Sequence, residues 1–169
     1  MNASGIDVDF GYQFGTAVGG FEVELLATYL DQRDELQFPG QPRTLLAGTF
    51  AGEAFPRWRA LGSVQWSRGG WSAGYLFHYI NSYHEYDSSF DALAPDAHGY
   101  SRDVASSLYH DVRCEYSFAF GTHLSLAVLN VTDEVPPRVN ATSAYANTDP
   151  ATYDLLGRSY QIGIRHPFR

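Results

Sequence analysis

Ser106, Ser107, His110 and Asp111 place two hydroxyls, an imidazole and a carboxylate in one short stretch, the side chains from which a nucleophile and its base are made. The surrounding residues alternate apolar and polar in the manner of a strand. On a strand Ser107 and His110 project from opposite faces, so the hydroxyl cannot reach the imidazole. His78, His84, Glu85 and Asp87 are all metal-ligating types, yet their spacing matches no recognised ligand pattern and reads more simply as loop polarity. Cys114 is the only cysteine, which leaves neither an internal disulfide nor a cysteine zinc site. These residues point to a protein that is not an enzyme and that needs no metal or cofactor.

A different chemistry is available in residues 81–103. Glu85, Asp87, Asp91, Asp96 and Asp103 stand there against Arg102 alone, beside Tyr83, His84, Tyr86, Phe90 and Tyr100. An acidic, aromatic loop can attract a cationic or metal-chelate cargo and stack on it, so those five ring-bearing residues are the ligand-contact candidates; a solvated loop is the plainer alternative. The whole chain carries a formal charge of −8, and all 11 of its basic residues are arginine, dispersed along the 169 positions. No cluster exists that could neutralise a run of phosphates, which excludes nucleic acid as a partner.

The elements that must position these residues are strands. Residues 5–14 place Ile6, Val8, Phe10, Tyr12 and Phe14 on one parity and Asp7, Asp9, Gly11 and Gln13 on the other. The same alternation returns over residues 21–29, 56–66, 71–79, 105–120, 123–131 and 158–168, giving seven expected strands and no convincing helix. Proline, glycine and acidic residues punctuate the intervals 31–54, 81–103 and 132–157, which read as long loops, with a short extended piece at 45–50. The remaining connections are tight turns.

Long and short connections alternate strictly. Antiparallel strands joined in sequence send alternate connections to opposite edges, so every tight turn lies on one edge and every long loop on the other. That asymmetry marks an outer-membrane barrel, whose periplasmic turns are short and extracellular loops long. A strand of about ten residues at ~3.3 Å each, tilted about 45°, covers roughly 23 Å along the membrane normal, close to the height of such a barrel's apolar band. Mean hydropathy is −0.26 and no long apolar run occurs, as expected when lipid-facing and lumen-facing residues alternate. The aromatic share of 15% then has a use: Trp58, Trp66, Trp71 and Tyr79 fall near strand ends and read as an interfacial girdle. A β-sandwich binding module shares the alternation but gives loops no reason to sort by length.

The ending carries a more specific signal. Leu129-Asn-Val-Thr-Asp-Glu-Val-Pro-Pro137, then Ala146-Asn-Thr-Asp-Pro-Ala-Thr-Tyr-Asp154, then Gly157-Arg-Ser-Tyr-Gln-Ile-Gly-Ile-Arg-His-Pro-Phe168 resembles the last loop and closing strand of TonB-dependent outer-membrane receptors. Ser4-Gly-Ile-Asp7 entering a strand, and Pro56-Arg-Trp-Arg59 with Trp66 before a tight turn, extend the likeness over residues 1–169. Arg169 after Phe168, and His166-Pro167 within the closing alternation, depart from the family's aromatic ending. The resemblance implies an all-β, antiparallel up-and-down barrel segment, the C-terminal seven strands of a 22-stranded barrel, without plug domain, TonB box or signal peptide. It implies TonB-energised uptake of a scarce nutrient such as a ferric siderophore, cobalamin or an oligosaccharide, by a receptor of which this portion would not transport alone. Tyr160, Ile162, Ile164 and Phe168 would form the closing-strand signal read by the barrel-assembly machinery. The partners implied are outer-membrane lipid and lipopolysaccharide, that machinery, the TonB complex through the plug, and a small-molecule cargo. A passive porin-like or structural barrel is the alternative within the membrane class.

Overall fold

A computed structural model describes residues 1–36, 40, 44–50, 53–85, 103–139 and 147–168. All regular structure among them is β. The alternating stretches form β1 (Asn2–Thr16), β2 (Gly19–Glu35), β6 (Trp58–Arg68), β7 (Trp71–Ile80), β10 (Ser107–Ser117), β11 (His123–Leu129) and β12 (Ser159–Arg165). They pair in chain order as one antiparallel sheet, with the two-residue β3 (Thr44–Leu45) attached to the far end of β2. The order β1-β2-β6-β7-β10-β11-β12 leaves β1 and β12 as edges, so the described sheet is open.

The register keeps each parity together across the whole sheet. Phe10 stands opposite Leu25, Leu25 opposite Gly62, and Gly62 opposite Phe77; Tyr75 meets Val112, Val112 meets Val128, and Val128 meets Tyr160. Between the strand ends one face is therefore apolar from edge to edge, with His110 and Cys114 as its exceptions there, while Arg68, Asn2, Ser4 and Thr16 follow the same parity at the ends of β6 and β1. The other face carries Asp7, Asp9, Glu22, Glu24, Arg59, Asp111, Arg113, Glu115 and Arg165, together with a few larger residues, Leu26, Leu61, Leu76, His78 and Tyr109. Because side chains alternate with period two, a slip of one residue in any pairing would exchange the faces of that strand. The one irregularity lies between Ser4 and Gly5, where β2 passes Asp31 without a partner on β1.

Several boundaries differ from the sequence reading. β1 and β2 extend to 15 and 17 residues, so the long-loop end of this hairpin projects well past a ten-residue span. β10 stops at Ser117, because Phe118 N–H donates to the Thr122 carbonyl (2.8 Å) and Gly121 N–H to the Phe118 carbonyl (3.0 Å), drawing 118–122 into a turn. β12 stops at Arg165, ahead of Pro167, which has no N–H to offer a ladder. Between β6 and β7 the turn is Gly69-Gly70, with Gly69 at φ 59°, a conformation glycine adopts without penalty.

The long loops build a second, smaller sheet that the alternation did not reveal. β4 (Thr49–Phe50), β5 (Ala54–Phe55), β8 (Tyr83–Glu85) and β9 (Asp103–Val104) pair in the order β5-β4-β8-β9, with β4 and β8 parallel. The expected extended piece at 45–50 becomes β3 and β4. The buried core is assembled here, from Phe50, Ala54, Ile80, Tyr83, Val104, Tyr109, Val139 and Tyr153. Ile80 and Tyr109 belong to the polar-face parity, so the described loop residues cap the polar face at its long-loop end, and among the described residues none covers the apolar face.

Candidate functional site

The exposed apolar face is the first candidate surface. Ile6, Phe10, Leu126, Tyr160, Ile162 and Ile164 remain 49–76% exposed. Aromatic rings concentrate at its two ends. At the short-turn end Phe14 stacks on Phe21 (5.2 Å between ring centres), Trp71 meets Tyr116 (4.6 Å), Tyr116 meets Phe118 (4.7 Å), and Trp66 donates its indole N–H to the Val18 carbonyl (3.0 Å). At the long-loop end Tyr29 packs on Trp58 (4.7 Å), and Tyr79 donates its hydroxyl to Asn81 Oδ1 (2.9 Å). Rings with a polar handle at both ends of an apolar band are the arrangement of a membrane-interface belt. Trp58 and Trp66 are separated along β6 by roughly 26 Å at ~3.3 Å per residue.

The exceptions on this face are accommodated. His110 Nδ1 lies 2.7 Å from the Tyr75 hydroxyl, also on the apolar face, so the imidazole has a local partner. Ser107 is buried on the opposite face, as the alternation predicts, and Asp111 accepts the Asn130 N–H at 2.8 Å, which ties that carboxylate to the last long loop. No hydroxyl, imidazole and carboxylate of this stretch converge.

The polar face carries a ladder of bonded side chains between strands. Thr28 donates to Asp7 (2.7 Å), Gln13 to Glu22 (2.7 Å) and Ser63 to Glu24 (3.4 Å), while His123 Nδ1 lies 2.9 Å from Ser117 and 3.2 Å from Glu115.

The ligand-contact candidates separate in space. Tyr83 is buried at 4% exposure, with its ring 6.4 Å from Phe50, and so serves the loop core. His84 projects to solvent and pairs with Asp103 at 2.9 Å. Tyr86, Phe90 and Tyr100 lie outside the described residues, as does Asp87. His78 sits on the polar face of β7 beside Tyr109, away from His84. Among the described residues no three His, Cys, Asp or Glu side chains gather as metal ligands. Of the closing-strand residues, Tyr160, Ile162 and Ile164 lie on the apolar face of the edge strand β12, and Phe168 follows that strand at 93% exposure.

Burial acts strongly on two phenols of the loop core. It pushes the Tyr83 hydroxyl far above its ordinary range and raises Tyr153 as well. The two hydroxyls also act on one another, which adds to the rise at Tyr83 and opposes it at Tyr153.

One concavity on the polar face was not foreseen. A cleft of about 440 Å³ opens at its long-loop end between β2, the start of β6, β5 and residues 149–152. Arg33, Arg59 and Asp149 line it, over a floor that includes Leu30, Phe55 and Pro56. Arg59 was visible in the sequence as a polar-parity residue, and Asp149 as part of the Asn-Thr-Asp-Pro block, but no spacing connects them. With the geometry in place, comparison with known proteins adds no identity: no protein-family model, curated protein or solved structure matches this chain.

Proposed function

We propose that this chain is membrane-barrel wall of the outer membrane, the closing seven strands of a 22-stranded TonB-dependent receptor. In that reading the apolar face meets lipid and lipopolysaccharide, the polar face meets the lumen, and the long loops meet the cell exterior. The carrying observation is the predominantly apolar face, exposed from β1 to β12 and bordered by aromatic rings at both ends. Exposed area points the same way: the chain exposes 11362 Å², against about 8,300 Å² for a globular protein of this mass. A β-sandwich would cover the apolar face with its second sheet, whereas the small sheet here caps the opposite one.

Import by this receptor would draw its energy from the TonB complex through a plug, and the cargo would be a scarce small molecule taken at the extracellular loops. β1 and β12 would pair with neighbouring strands, because an exposed edge of backbone N–H and C=O groups cannot be left in hydrocarbon. Tyr160, Ile162, Ile164 and Phe168 would be presented to the assembly machinery on the last strand.

The test is refolding into vesicles whose lipids carry bromine at defined depths, at chain concentrations that let β1 of one copy pair with β12 of another and so cover the open edges, with tryptophan emission as the readout. Quenching of Trp58, Trp66 and Trp71 by shallow bromines supports the reading. A monodisperse, cooperatively folding preparation in buffer without detergent overturns it. Sequencing upstream of the Met1 codon separates an energised receptor, which needs a plug in frame, from a passive barrel.

A further inference from the structure

β1 and β12 are the open edges of the large sheet, and each suits the other better than it suits itself. Both run from the long-loop end to the short-turn end: β1 opens at Asn2 opposite Asp34 and ends at Thr16 opposite Gly19, and β12 runs from Ser159 opposite Leu129 to Arg165 opposite His123. Pairing β12 of one copy with β1 of the next is therefore parallel, and keeps the apolar faces together and the long loops at one end. Pairing β1 with β1, or β12 with β12, cannot do both. With the faces kept together it is antiparallel, and turns the long loops of one copy to the opposite side. A bilayer demands a common apolar band and loops on one side, which only the head-to-tail seam supplies. Every closed barrel with an odd number of antiparallel-ordered strands contains such a parallel seam, and such barrels exist.

Charge favours the same seam. β1 carries Asp7 and Asp9 and no basic residue, whereas β12 carries Arg165 and no acidic one. All three lie on the polar face and are exposed. Closing the wall brings them level. The Trp58 carbonyl accepts the Asn81 N–H (3.0 Å) and the His110 carbonyl the Val131 N–H (2.7 Å). Both carbonyls belong to apolar-face positions on strands that run toward the short turns. For L-residues the strands then follow one another from right to left, viewed on the apolar face with the long loops uppermost. Strands with a right-handed twist wind right-handedly around a barrel, so a row of paired residues climbs toward the long loops from β1 to β12. At ~4.8 Å between strands, a tilt of about 35–45° and ~3.3 Å per residue, the climb over seven strands is roughly 7–10 residues. Gln13 and Gln161 are the two ends of one row. Only an even offset keeps the faces together, so Gln161 meets Gly5 or Ala3 of the next copy, and Arg165 stands opposite its Asp9 or Asp7.

We infer that copies of this chain join head to tail, β12 of one against β1 of the next, and close into a multichain barrel whose seams are locked by Arg165 and the two aspartates. Two or three copies bring the strand count within the roughly 8–26 of outer-membrane barrels. The inference rests on the membrane reading for the bilayer that imposes common faces and ends. It goes beyond that reading in letting copies of this chain supply one another's missing neighbours.

The experiment folds the full chain in density-matched detergent micelles and reads the number of copies by sedimentation as the chain is diluted into micelles. The parent is expected to sediment as a discrete oligomer. Arg165→Glu should raise the concentration of half-dissociation at least about tenfold, since like charges then face each other at every seam, and Asp7→Arg combined with Asp9→Arg should do the same. Arg165→Gln, which removes the pair without adding repulsion, should shift it less and in the same direction. The chain carrying Asp7→Arg, Asp9→Arg and Arg165→Glu together should return to within about threefold of the parent. Positions 9 and 165 lie on opposite edges of one copy, so that recovery arises between copies. Failure of the combined variant to recover, or a monomeric parent whose circular dichroism reports the folded sheet, overturns the seam and leaves the membrane reading intact. The same oligomer, with the same charge dependence, in buffer without detergent keeps the seam and removes the membrane reading.

Discussion

Arg158 and Asp133 close the base of the last long loop: the Arg158 backbone N–H donates to Asp133 Oδ1 at 2.8 Å, and the guanidinium reaches Oδ2 at 3.8 Å. The two contacts are unequal. Both side chains are about half exposed, so the ion pair contributes little, whereas the short bond satisfies the backbone at the point where the chain turns back into β12. Asp133 also holds φ 56°, a conformation that aspartate and asparagine tolerate better than most residues. Asn130, at φ 52°, makes a matching clasp, donating from Nδ2 to the Glu134 carbonyl (2.9 Å) and accepting the Glu134 N–H on Oδ1 (2.8 Å).

Asp133→Ala should therefore lower stability by about 1–3 kcal/mol, from the lost acceptor together with backbone strain. Asp133→Asn keeps an acceptor and the tolerated backbone, and should stay within about 0.5 kcal/mol of the parent. Denaturant midpoints in micelles check the order; equal losses in the two variants would show that the ion pair dominates.

Val64 and Ser63 are consecutive on β6 and face opposite sides. If the apolar face meets lipid, Val64→Arg should cost about 2–4 kcal/mol of folding into vesicles, while Ser63→Arg, opposite Glu24, should be close to neutral. Urea-dependent insertion would measure both, and identical behaviour of the pair would be incompatible with a lipid-facing side.

Gly62 leaves room for the Phe77 ring, which lies directly against the place a side chain at 62 would occupy. Gly62→Val should cost about 1–3 kcal/mol by displacing the ring. Adding Phe77→Ala should recover part of that loss, and the coupling between the two sites can be read from a double-mutant cycle.

Tyr83 gives a dependence on alkaline pH. Burial raises its folded-state pKa above the ordinary value of 10.0, so the unfolded chain releases the phenol proton first. Stability is full below pH 10.0 and declines as pH rises beyond it, since the unfolded state then binds fewer protons. Tyr83→Phe removes a buried hydroxyl whose neighbour is the Tyr153 hydroxyl, and should change stability at neutral pH by no more than about 1 kcal/mol while flattening the alkaline decline. Unfolding curves collected across the alkaline range provide the comparison.

The legible part of the molecule is the part written with period two. Ile6 to Phe14, Phe21 to Tyr29 and Tyr160 to Ile164 announce a face through alternation alone, and the sorted loop lengths order the strands. β4, β5, β8 and β9 were hidden because two- and three-residue strands carry no period; they exist through contacts between Phe50, Tyr83 and Val104, which only the folded loops bring together. Phe118 and Phe120 continue the aromatic alternation past the true end of β10, where turn bonds prevail. The cleft was illegible for a related reason: Arg33 and Asp149 lie in distant segments, and sequence spacing says nothing about residues that meet through the cap.

Asp31, the residue passed over between Ser4 and Gly5, changes the reading frame of β2. Before it, odd-numbered residues from Phe21 to Tyr29 look outward; after it, Arg33 opposite Ala3 looks inward. Arg57 steadies the offset by donating to the Asp31 carbonyl at 2.8 Å. The inward address of Arg33 is thus set by one residue left out of the ladder: drawing Asp31 into regular register would turn the guanidinium to the opposite face, whereas excising Asp31 would leave Gln32 opposite Ser4 and Arg33 opposite Ala3, and so preserve that address in a straight strand.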